Sequence, residues 1–514
     1  MESTRDIRYK LLSSDARNKV VTKCKKKKCG ECNKIRRTSV ENHQICYTCY
    51  NAKKKIIPYG NKVIDDFIRY THTNYPNKKN GKMIFVPYNK FKNIELIGEG
   101  GFSKIYKATW IDCKISDDDT IDYSLQNKSK IVALKKLNNS KNITSKELNE
   151  LKIFYHYSLS GKSSVIYNNY SSFVNQYYGI TQDPITQDLI FIMPYYNSDL
   201  THYITKDFFN NNWYHKLDRL NEIINGLTKV HGVNIIHRDL HSGNILIANL
   251  NYFCIRAKIC DLGTSKSATE NDDNNDNEED NIYGIIPYVA PEVLQGKKYT
   301  KASDIYSFGM IMWELMIGRR PFWDKKHNTE LIIEICDGLR PPIITNAPKG
   351  YIDLMKECWY SDPEKRPTAD EVSKKIQEIW GIDIVGFSES KTEIIKSPDI
   401  GPVTTNNPDA IYKSRYLSGM IKSAASTRSL RSKSSITLKF DQLDFYQRNS
   451  NDKRKFEDNQ FESNFINGSS NKKIKPIEDE NNDYATIELE LDIDMNFKQT
   501  NDDEYITSEI DFDI

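Results

Sequence analysis

The apolar residues of the chain form short runs mainly over its middle part, from about residue 91 to residue 380. Early runs, such as 130–134 and 189–193, have the length and composition of buried strands. Later runs, such as 306–317 and 351–359, have apolar residues at helical spacing. We therefore predict a strand-rich part followed by a helix-rich part, and we expect these to form two lobes with a cleft between them.

The stretches on either side contain few large apolar residues. Residues 1–56 are rich in Lys and Cys, and the chain beyond residue 380 is dominated by Asn, Asp, Ser and Lys. Such a composition predicts little folded core. We predict a small N-terminal module over 1–56, a linker over 57–90, a folded domain over 91–380 and a largely disordered tail over 381–514, acidic at its end.

Two local features interrupt this division. The least polar segment of the tail, residues 409–417, is a candidate docking segment. The folded domain contains an acidic insertion at 270–281 without Ser, Thr or Tyr. The simpler interpretation of the insertion is a solvated loop. The alternative is that its carboxylates pair with the guanidinium of Arg238, in the place that a phosphate group could otherwise take.

The net charge of +3 over 514 residues conceals a basic N-terminal part and an acidic C-terminal end. No uncharged apolar run approaches the roughly 18 residues that a membrane-spanning helix needs, so we expect no membrane span. The N-terminus lacks the apolar core of a secretory signal, and ten cysteines in such a chain favour metal ligands and buried thiols over disulfides. We expect a cytoplasmic protein, and lysine clusters at 453–455 and 472–475 leave a nuclear location open.

The candidate chemistry is concentrated in the segment 237–244, which reads HRDLHSGN, and in the DLG sequence at 261–263. Asp239 and Asn244, five residues apart in a short loop, can face one reaction centre from two sides. Asp261, after the next apolar strand, can hold a metal ion beside them. Moving a phosphoryl group from ATP to a hydroxyl requires groups of this kind.

Two features upstream fit the same reaction. The glycine-rich loop 98–105 follows a strand-like run, and its glycines allow the backbone to approach triphosphate oxygens. Lys135 lies on a predicted buried strand, where an ammonium group needs anionic partners, and Glu150 on the helical stretch 145–157 is a candidate partner. The alternative is a strand-edge lysine and a glutamate on a solvated helix face.

The segment 193–196, which reads MPYY, ends an apolar strand and is predicted to connect the lobes. An adenine ring can pair there with the backbone, the Pro194 carbonyl accepting and the Tyr196 N–H donating. Proline keeps its carbonyl oxygen, so Pro194 does not impair that acceptor.

In their order along the chain, these motifs resemble those of eukaryotic protein kinases, over about residues 91–380. The resemblance extends to the APE sequence at 290–292, whose Glu292 is expected to pair with Arg366. It also extends to Asp304, which is expected to support the catalytic loop, residues 237–244. The stretch 354–372 resembles the tyrosine-kinase-like group most. The implied fold is α+β and bilobal, with a small β-rich lobe and a larger α-helical lobe.

The resemblance implies a role for each motif residue. Asp239 is the implied catalytic base, Asn244 and Asp261 hold Mg²⁺, and Lys135 binds the α- and β-phosphates and pairs with Glu150. The implied ATP-binding set is Gly98, Gly100, Gly101, Ser103, Ile105, Ala133, Lys135, Met193, Pro194, Tyr196, Asn244 and Asp261.

The class of acceptor hydroxyl is less well defined by the sequence. His241 stands where many serine/threonine kinases have Lys, and the segment 284–288 lacks both the usual threonine and the tyrosine-kinase pattern. Leu262 also replaces the usual Phe after the metal-binding Asp. We expect protein substrates with Ser or Thr hydroxyls, and autophosphorylation of the serines in 423–435 is open. The alternatives are a tyrosine or dual-specificity kinase and a catalytically inactive scaffold.

Two cysteine pairs lie in the N-terminal module, at Cys29 and Cys32 and at Cys46 and Cys49. Four thiolates at such spacing can surround a structural Zn²⁺ ion, and we predict zinc binding; a redox pair is the alternative. Additional donors are present in the module, at Cys24 and His43. Its lysines leave a nucleic-acid partner or an acidic protein partner as further alternatives.

Overall fold

The computed structural model describes residues 26–37, 44–56, 58–74, 81–117, 119–143, 147–160, 172–206, 208–251, 254–267, 281–385 and 392–434. The additional donors Cys24 and His43, nearly all of the acidic insertion and the tail from residue 435 lie outside the described residues. Within the described ranges, no helix has the length and hydrophobicity needed to cross a membrane.

A twisted sheet forms the smaller lobe. Its described strands are β3 (Ile84–Phe85), β4 (Phe91–Glu99), β5 (Ser103–Trp110), β6 (Lys130–Leu137), β7 (Gly179–Gln182) and β8 (Leu189–Pro194), in the order β3-β7-β8-β6-β5-β4. All pairs are antiparallel except β3 with β7. Every residue of β8 is buried, as its continuous apolar run predicts. The predicted strands at 130–134 and 189–193 are thus confirmed.

The N-terminal module packs against this lobe through a helix. The module contains a hairpin of β1 (Lys26–Lys28) and β2 (Ile35–Arg37), followed by α1 (Tyr47–Lys55). Next comes α2 (Lys62–Thr73), which begins where the Asn61 side chain accepts from two backbone N–H groups.

The prediction of a linker over 57–90 is wrong for the described part of that stretch. Phe67 and Ile68 on α2 are buried, and the Tyr70 ring lies 5.4 Å from the ring of Tyr155 on α3 (Asn149–Ser160). The apolar positions of α2 recur at helical spacing, and the helix packs against α1 and reaches α3 through the Tyr70–Tyr155 ring contact.

The larger lobe is mainly helical. Its described helices are α4 (Leu200–Lys206), α5 (Trp213–Gly232), α6 (Pro291–Leu294), α7 (Lys301–Ile317), α8 (Thr329–Cys336), α9 (Tyr351–Cys358) and α10 (Ala369–Val385). Helix α7 is buried on all sides and forms the centre of the lobe. It starts at a capping box between Thr300 and Ser303 and ends at Gly318, whose φ is 80°. The predicted helices at 306–317 and 351–359 correspond to α7 and α9.

Short strands place the loops that face the cleft. They are β9 (Ser198–Asp199), β10 (Ile235–Ile236), β11 (Ile245–Asn251), β12 (Cys254–Ile259), β13 (Lys266–Ser267) and β14 (Tyr283–Gly284). β11 pairs with β9 and β12, and β10 pairs with β13. The segments 237–244 and 261–263 therefore start or end at paired strands, which fixes their positions relative to each other.

The prediction of a largely disordered tail is wrong for residues 392–434, while most of the remaining tail lies outside the described residues. This part contains β15 (Arg415–Tyr416) and α11 (Ser418–Ser434). β15 pairs antiparallel with β14, and α11 packs on α8 with Leu417, Ile421 and Ala424 buried. These few apolar residues pack against the surface of the larger lobe, so this part of the tail is ordered without a hydrophobic core of its own.

Candidate active site

A buried lysine links three elements at the base of the cleft. Lys135, on β6, is 6% exposed, and its Nζ lies 2.8 Å from Glu150 Oε2 on α3 and 2.7 Å from Asp261 Oδ1. Burial alone would lower the pKa of Lys135, but the carboxylates of Asp261 and Glu150 outweigh burial and hold the pKa above its usual value. The Tyr177 hydroxyl donates to the other oxygen of Glu150. The predicted Lys135–Glu150 pair is therefore in contact.

Asp261 is held in a tight turn next to that lysine. Its φ is 57°, and the Gly263 N–H donates to its Oδ1 at 3.3 Å. Burial would raise the pKa of Asp261, but Lys135 and the Gly263 N–H hold it below its usual value. Leu262, in the position of the usual Phe, is fully buried in the core. An apolar side chain is retained there, and Asp261 remains ionised and suited to a cation.

A second buried aspartate orders the catalytic loop. Asp304, on α7, accepts from the backbone N–H groups of His237 at 2.8 Å and Arg238 at 2.9 Å. His231 Nε2 lies 2.8 Å from the same carboxylate. Burial would raise the pKa of Asp304, but these hydrogen bonds outweigh burial and lower it. The expected supporting role of Asp304 is thereby explained: it holds the backbone of Arg238 at a φ of 72°, immediately before Asp239.

Asp239 and Asn244 lie side by side, as their five-residue spacing predicts. The Asn244 Nδ2 donates to the Asp239 carbonyl at 2.9 Å and approaches its Oδ2 at 3.5 Å. Because Nδ2 faces Asp239, the amide oxygen of Asn244 is its available acceptor end for a cation. His241 Nε2 lies 3.8 Å from Asp239 Oδ2, while its Nδ1 accepts from the Gly243 N–H. His241 is thus part of the surroundings of the candidate base.

A cavity of about 240 Å³ separates the glycine-rich loop from the catalytic loop. The predicted site residues that line it are Gly100, Gly101, Ser103, Lys135, Glu150, Asp239, Asn244 and Asp261. Gly98 lies outside this cavity, on the strand that leads into the loop. The predicted phosphate-binding, metal-binding and catalytic groups therefore surround one space.

The other predicted ATP-binding residues lie on or next to three neighbouring strands, β5, β6 and β8. Ala133 on β6 is opposite Met193 on β8, and Ile105 on β5 is opposite Lys135. Met193 is buried, and its sulfur accepts from the Asn175 side chain at 3.3 Å. Pro194 ends β8, and Tyr196 follows two residues later. The backbone pairing of Pro194 and Tyr196 with adenine stays a prediction.

Glu292 and Arg366 form the predicted ion pair. Arg366 Nη2 lies 2.6 Å from Glu292 Oε2, and Nη1 lies 2.7 Å from Oε1, so the contact is bidentate. Arg366 also donates to the carbonyl oxygens of Tyr360 and Ala302. The pair ties the end of the segment between the DLG and APE sequences to the helices of the larger lobe.

The four predicted metal ligands converge at the N-terminal module. The Sγ atoms of Cys29, Cys32, Cys46 and Cys49 all lie within 4.8 Å of one another. Cys29 and Cys49 are 3.8 Å apart, as are Cys32 and Cys46. The Cys29 sulfur accepts from the backbone N–H groups of Cys46 at 3.2 Å and Glu31 at 3.4 Å.

Several residues that face the cleft were not among the predicted site residues. Tyr283, Tyr299 and Thr264 line the cavity, and the Tyr299 hydroxyl donates to the Tyr283 carbonyl at 2.7 Å. Ser414 also lines it, and its Oγ lies 2.5 Å from Asp239 Oδ2. The only sequence signal for Ser414 is its position in the less polar segment 409–417.

Comparison with known proteins agrees with this geometry. A family described as protein tyrosine and serine/threonine kinase matches residues 91–376. A probable serine/threonine-protein kinase of Dictyostelium discoideum is 34% identical over 170 residues, which cover 31% of this chain and 11% of that protein. The dual specificity protein kinase shkA of the same organism is 33% identical over 158 residues, covering 30% of this chain and 29% of that protein.

The aligned part of this chain thus spans about a tenth of the length of the first relative and under a third of the second. The family match covers more than half of the 514 residues and includes the loops at 98–105, 237–244 and 261–263. The chain belongs to the protein tyrosine and serine/threonine kinase family.

Proposed function

We propose that the protein is an ATP- and Mg²⁺-dependent kinase that phosphorylates protein hydroxyls, with Ser and Thr preferred. One observation carries the proposal: Lys135, Asp239, Asn244 and Asp261 line a single cavity beneath a glycine-rich loop, and Lys135 is already paired with Glu150. An inactive scaffold would be expected to lack at least one of these groups.

The donor set fits the groups that the reaction needs. A carboxylate and an amide oxygen, from Asp261 and Asn244, are the hard ligands that Mg²⁺ prefers. Lys135 supplies a fixed positive charge for the α- and β-phosphates, and Gly100 and Gly101 present backbone without side chains to the cavity. Bound Mg²⁺–ATP supplies the phosphoryl group and the charge neutralisation for its transfer.

The remaining work belongs to the residues of the chain. Asp239 Oδ2 orients the acceptor hydroxyl and receives its proton as the hydroxyl oxygen attacks phosphorus. Asn244 fixes Asp239 through its hydrogen bond to the Asp239 carbonyl. Asp304 holds the backbone just before Asp239, so the base keeps its position during the reaction.

The names of the relatives support the acceptor class. Serine/threonine kinases are prominent among them, and a dual specificity kinase is included. Tyrosine therefore remains the alternative acceptor. The stretch 354–372 supports a place in the tyrosine-kinase-like group, while Cys358-Trp359 within it is typical of that group and of the tyrosine kinases.

Asp239→Asn tests the proposed activity. We expect phosphate transfer from ATP to a generic protein substrate to fall by about 10²- to 10⁴-fold, because the base is lost while the shape is kept. Asp399→Asn is a matched control with the same charge change at an exposed position. Equal transfer by both variants in a radiolabelled ATP assay would contradict the assignment of Asp239.

We also propose that the four cysteines of the N-terminal module bind a structural Zn²⁺ ion. Four sulfurs at about 2.3 Å from a tetrahedral zinc lie about 3.8 Å apart. The Cys29–Cys49 and Cys32–Cys46 distances of 3.8 Å match that value.

Arg36 of the same module donates to the carbonyls of Thr73 and Asn74 at the end of α2. These contacts favour a role of Arg36 in packing over a role in nucleic-acid binding.

Metal analysis of the full chain tests the zinc site. We expect about one zinc per chain, and loss of that zinc in the Cys32→Ser/Cys49→Ser variant. Cys336→Ser is the control, because Cys336 is a free thiol outside the cluster. Zinc that survives the double substitution would exclude the four-cysteine site.

A further inference from the structure

The docking segment, residues 409–417, crosses the cleft of its own chain and places one hydroxyl on the candidate base. Ser414 Oγ donates to Asp239 Oδ2 at 2.5 Å. An acceptor hydroxyl in a protein kinase must occupy such a position before transfer, within hydrogen-bond distance of the base. The contact joins residues 175 positions apart in the sequence, so chain proximity does not explain it.

Backbone pairing fixes the docking segment after Ser414. Arg415 pairs with Gly284 and Tyr416 with Tyr283 in an antiparallel strand pair. The Leu417 N–H then donates to the Ile282 carbonyl at 2.8 Å, and Leu417 is fully buried. The segment is therefore bound as an added strand, a mode in which main-chain hydrogen bonds supply affinity.

Other contacts fix the docking segment before Ser414. The Tyr412 hydroxyl donates to the Pro321 carbonyl at 2.9 Å, and its ring packs on His327. The backbone N–H of His327 donates to the Asp409 carbonyl at 3.0 Å, and the ring nitrogen Nδ1 of His327 lies 2.9 Å from the Ile411 carbonyl. Ser414 is thus held from both sides, as an acceptor in a bound substrate has to be.

The glycine-rich loop closes over the same residue. A Cβ atom placed on Gly101 would lie 2.8 Å from the Ser414 carbonyl oxygen, closer than atoms in contact normally approach. The cavity that contains Lys135 and Asp261 opens directly beside Ser414. The space for a transferring phosphoryl group therefore lies next to the Ser414 hydroxyl.

The neighbouring hydroxyls do not share this position. The Tyr412 hydroxyl is bonded to Pro321, and Ser418 Oγ accepts from the Ile282 N–H at 2.9 Å. The Tyr416 ring lies against the ring of Tyr283, with centroids 5.6 Å apart. Among the described hydroxyls of residues 409–418, Ser414 alone is bonded to Asp239.

We propose that Ser414 is the site of intramolecular autophosphorylation and that the docking segment is a substrate built into the chain; this rests on the proposed kinase function. Ser414 Oγ forms a bond to the γ-phosphorus of ATP while its proton passes to Asp239 Oδ2. The bond from that phosphorus to the β–γ bridging oxygen breaks, and ADP leaves with the bond electrons. The products are phosphoserine, ADP and a proton.

Phosphorylation would also change the fit of the docking segment. A phosphoserine carries a charge of about −1.5 to −2 and no longer donates a hydroxyl proton to Asp239. Repulsion from Asp239 and Asp261 then favours departure of the segment, which frees the cleft for other substrates. Before phosphorylation the segment competes with them.

Phosphosite mapping by mass spectrometry on phosphatase-treated full-length chain tests the proposal. With ATP and Mg²⁺, we expect Ser414 to approach one phosphate per chain at a rate independent of protein concentration. Asp239→Asn should abolish the modification, and Ser423→Ala, at an exposed serine of α11, should retain it. A rate proportional to protein concentration would overturn the intramolecular step.

The outcome distinguishes this proposal from the proposed function. Phosphorylation of an added protein with Ser414 unmodified would overturn the acceptor role and leave the kinase function intact. Absence of both modifications would overturn both. Phosphorylation of Ser414 together with the added protein supports both.

A measurement without nucleotide tests the contact itself. We expect Ser414→Ala to speed hydrogen exchange at the Leu417 amide by about tenfold or more, because a hydrogen bond to a charged carboxylate is lost. Ser423→Ala should leave that amide unchanged. An equal exchange rate in the wild type and Ser414→Ala would overturn the placement of the docking segment.

Discussion

At the scale of single residues, the site depends on buried charges that are held by specific partners. Lys135 satisfies two carboxylates, and Asp304 accepts from two backbone N–H groups. The motifs predicted the Lys135–Glu150 contact and the support that Asp304 gives to the catalytic loop, because their chemistry restricts which side chains can stand there. It could not predict Ser414, because a serine in a polar tail has no such restriction.

Glu314 is a buried carboxyl outside the predicted set, and it makes the stability of the protein sensitive to pH. It is 1% exposed and accepts from the Tyr288 hydroxyl at 2.7 Å and from Ser242 Oγ at 2.9 Å. Burial raises the pKa of Glu314 from 4.5 to about 7. The folded protein therefore binds this proton more tightly than the unfolded chain does.

We predict that this group lowers the free energy of unfolding as pH rises from about 4.5 to about 7, and that Glu314→Gln removes that dependence. The difference in the free energy of unfolding between the wild type and Glu314→Gln should change by about 3 kcal/mol across this pH interval. Urea denaturation at several pH values measures it. Parallel pH profiles for the two proteins would show that Glu314 does not titrate as described.

At the scale of secondary-structure elements, the sequence patterns predicted whether a segment is a strand or a helix better than they predicted what it packs against. The runs at 130–134 and 306–317 are long and apolar enough to identify a strand and a helix. The helix α2 was missed, and residues 57–90 were predicted to be a linker. Its apolar residues have helical spacing, but the segment is short, and the elements that it contacts, α1 and α3, lie outside it.

The packing of α2 leads to a stability prediction. Phe67 is 3% exposed, and we expect Phe67→Ala to cost about 3–5 kcal/mol through lost burial and the cavity left behind. Lys62→Ala, at an exposed position of the same helix, should change stability by less than about 0.5 kcal/mol. Chemical denaturation of both variants compares them; equal stability would mean that α2 behaves as a linker.

At the scale of the whole molecule, the chain brings together parts that its composition separates. The N-terminal module contacts the end of α2, α2 packs on α3, and α3 carries Glu150. From the other end, residues 392–434 return to the larger lobe and reach Asp239. The bilobal domain was predictable from the order of the motifs. The contacts that the N-terminal module and residues 392–434 make with it were not, because they depend on complementary surfaces between segments that are distant in the sequence.

The central claim is that this cleft transfers phosphate to protein hydroxyls. Mass spectrometry of a library of Ser, Thr and Tyr peptides incubated with the full chain, ATP and Mg²⁺ tests it most directly. We predict phosphate on Ser and Thr peptides with the wild type and about 10²- to 10⁴-fold less with Asp239→Asn. Absence of phosphate on every peptide, from a wild-type chain that binds ATP, would contradict the claim.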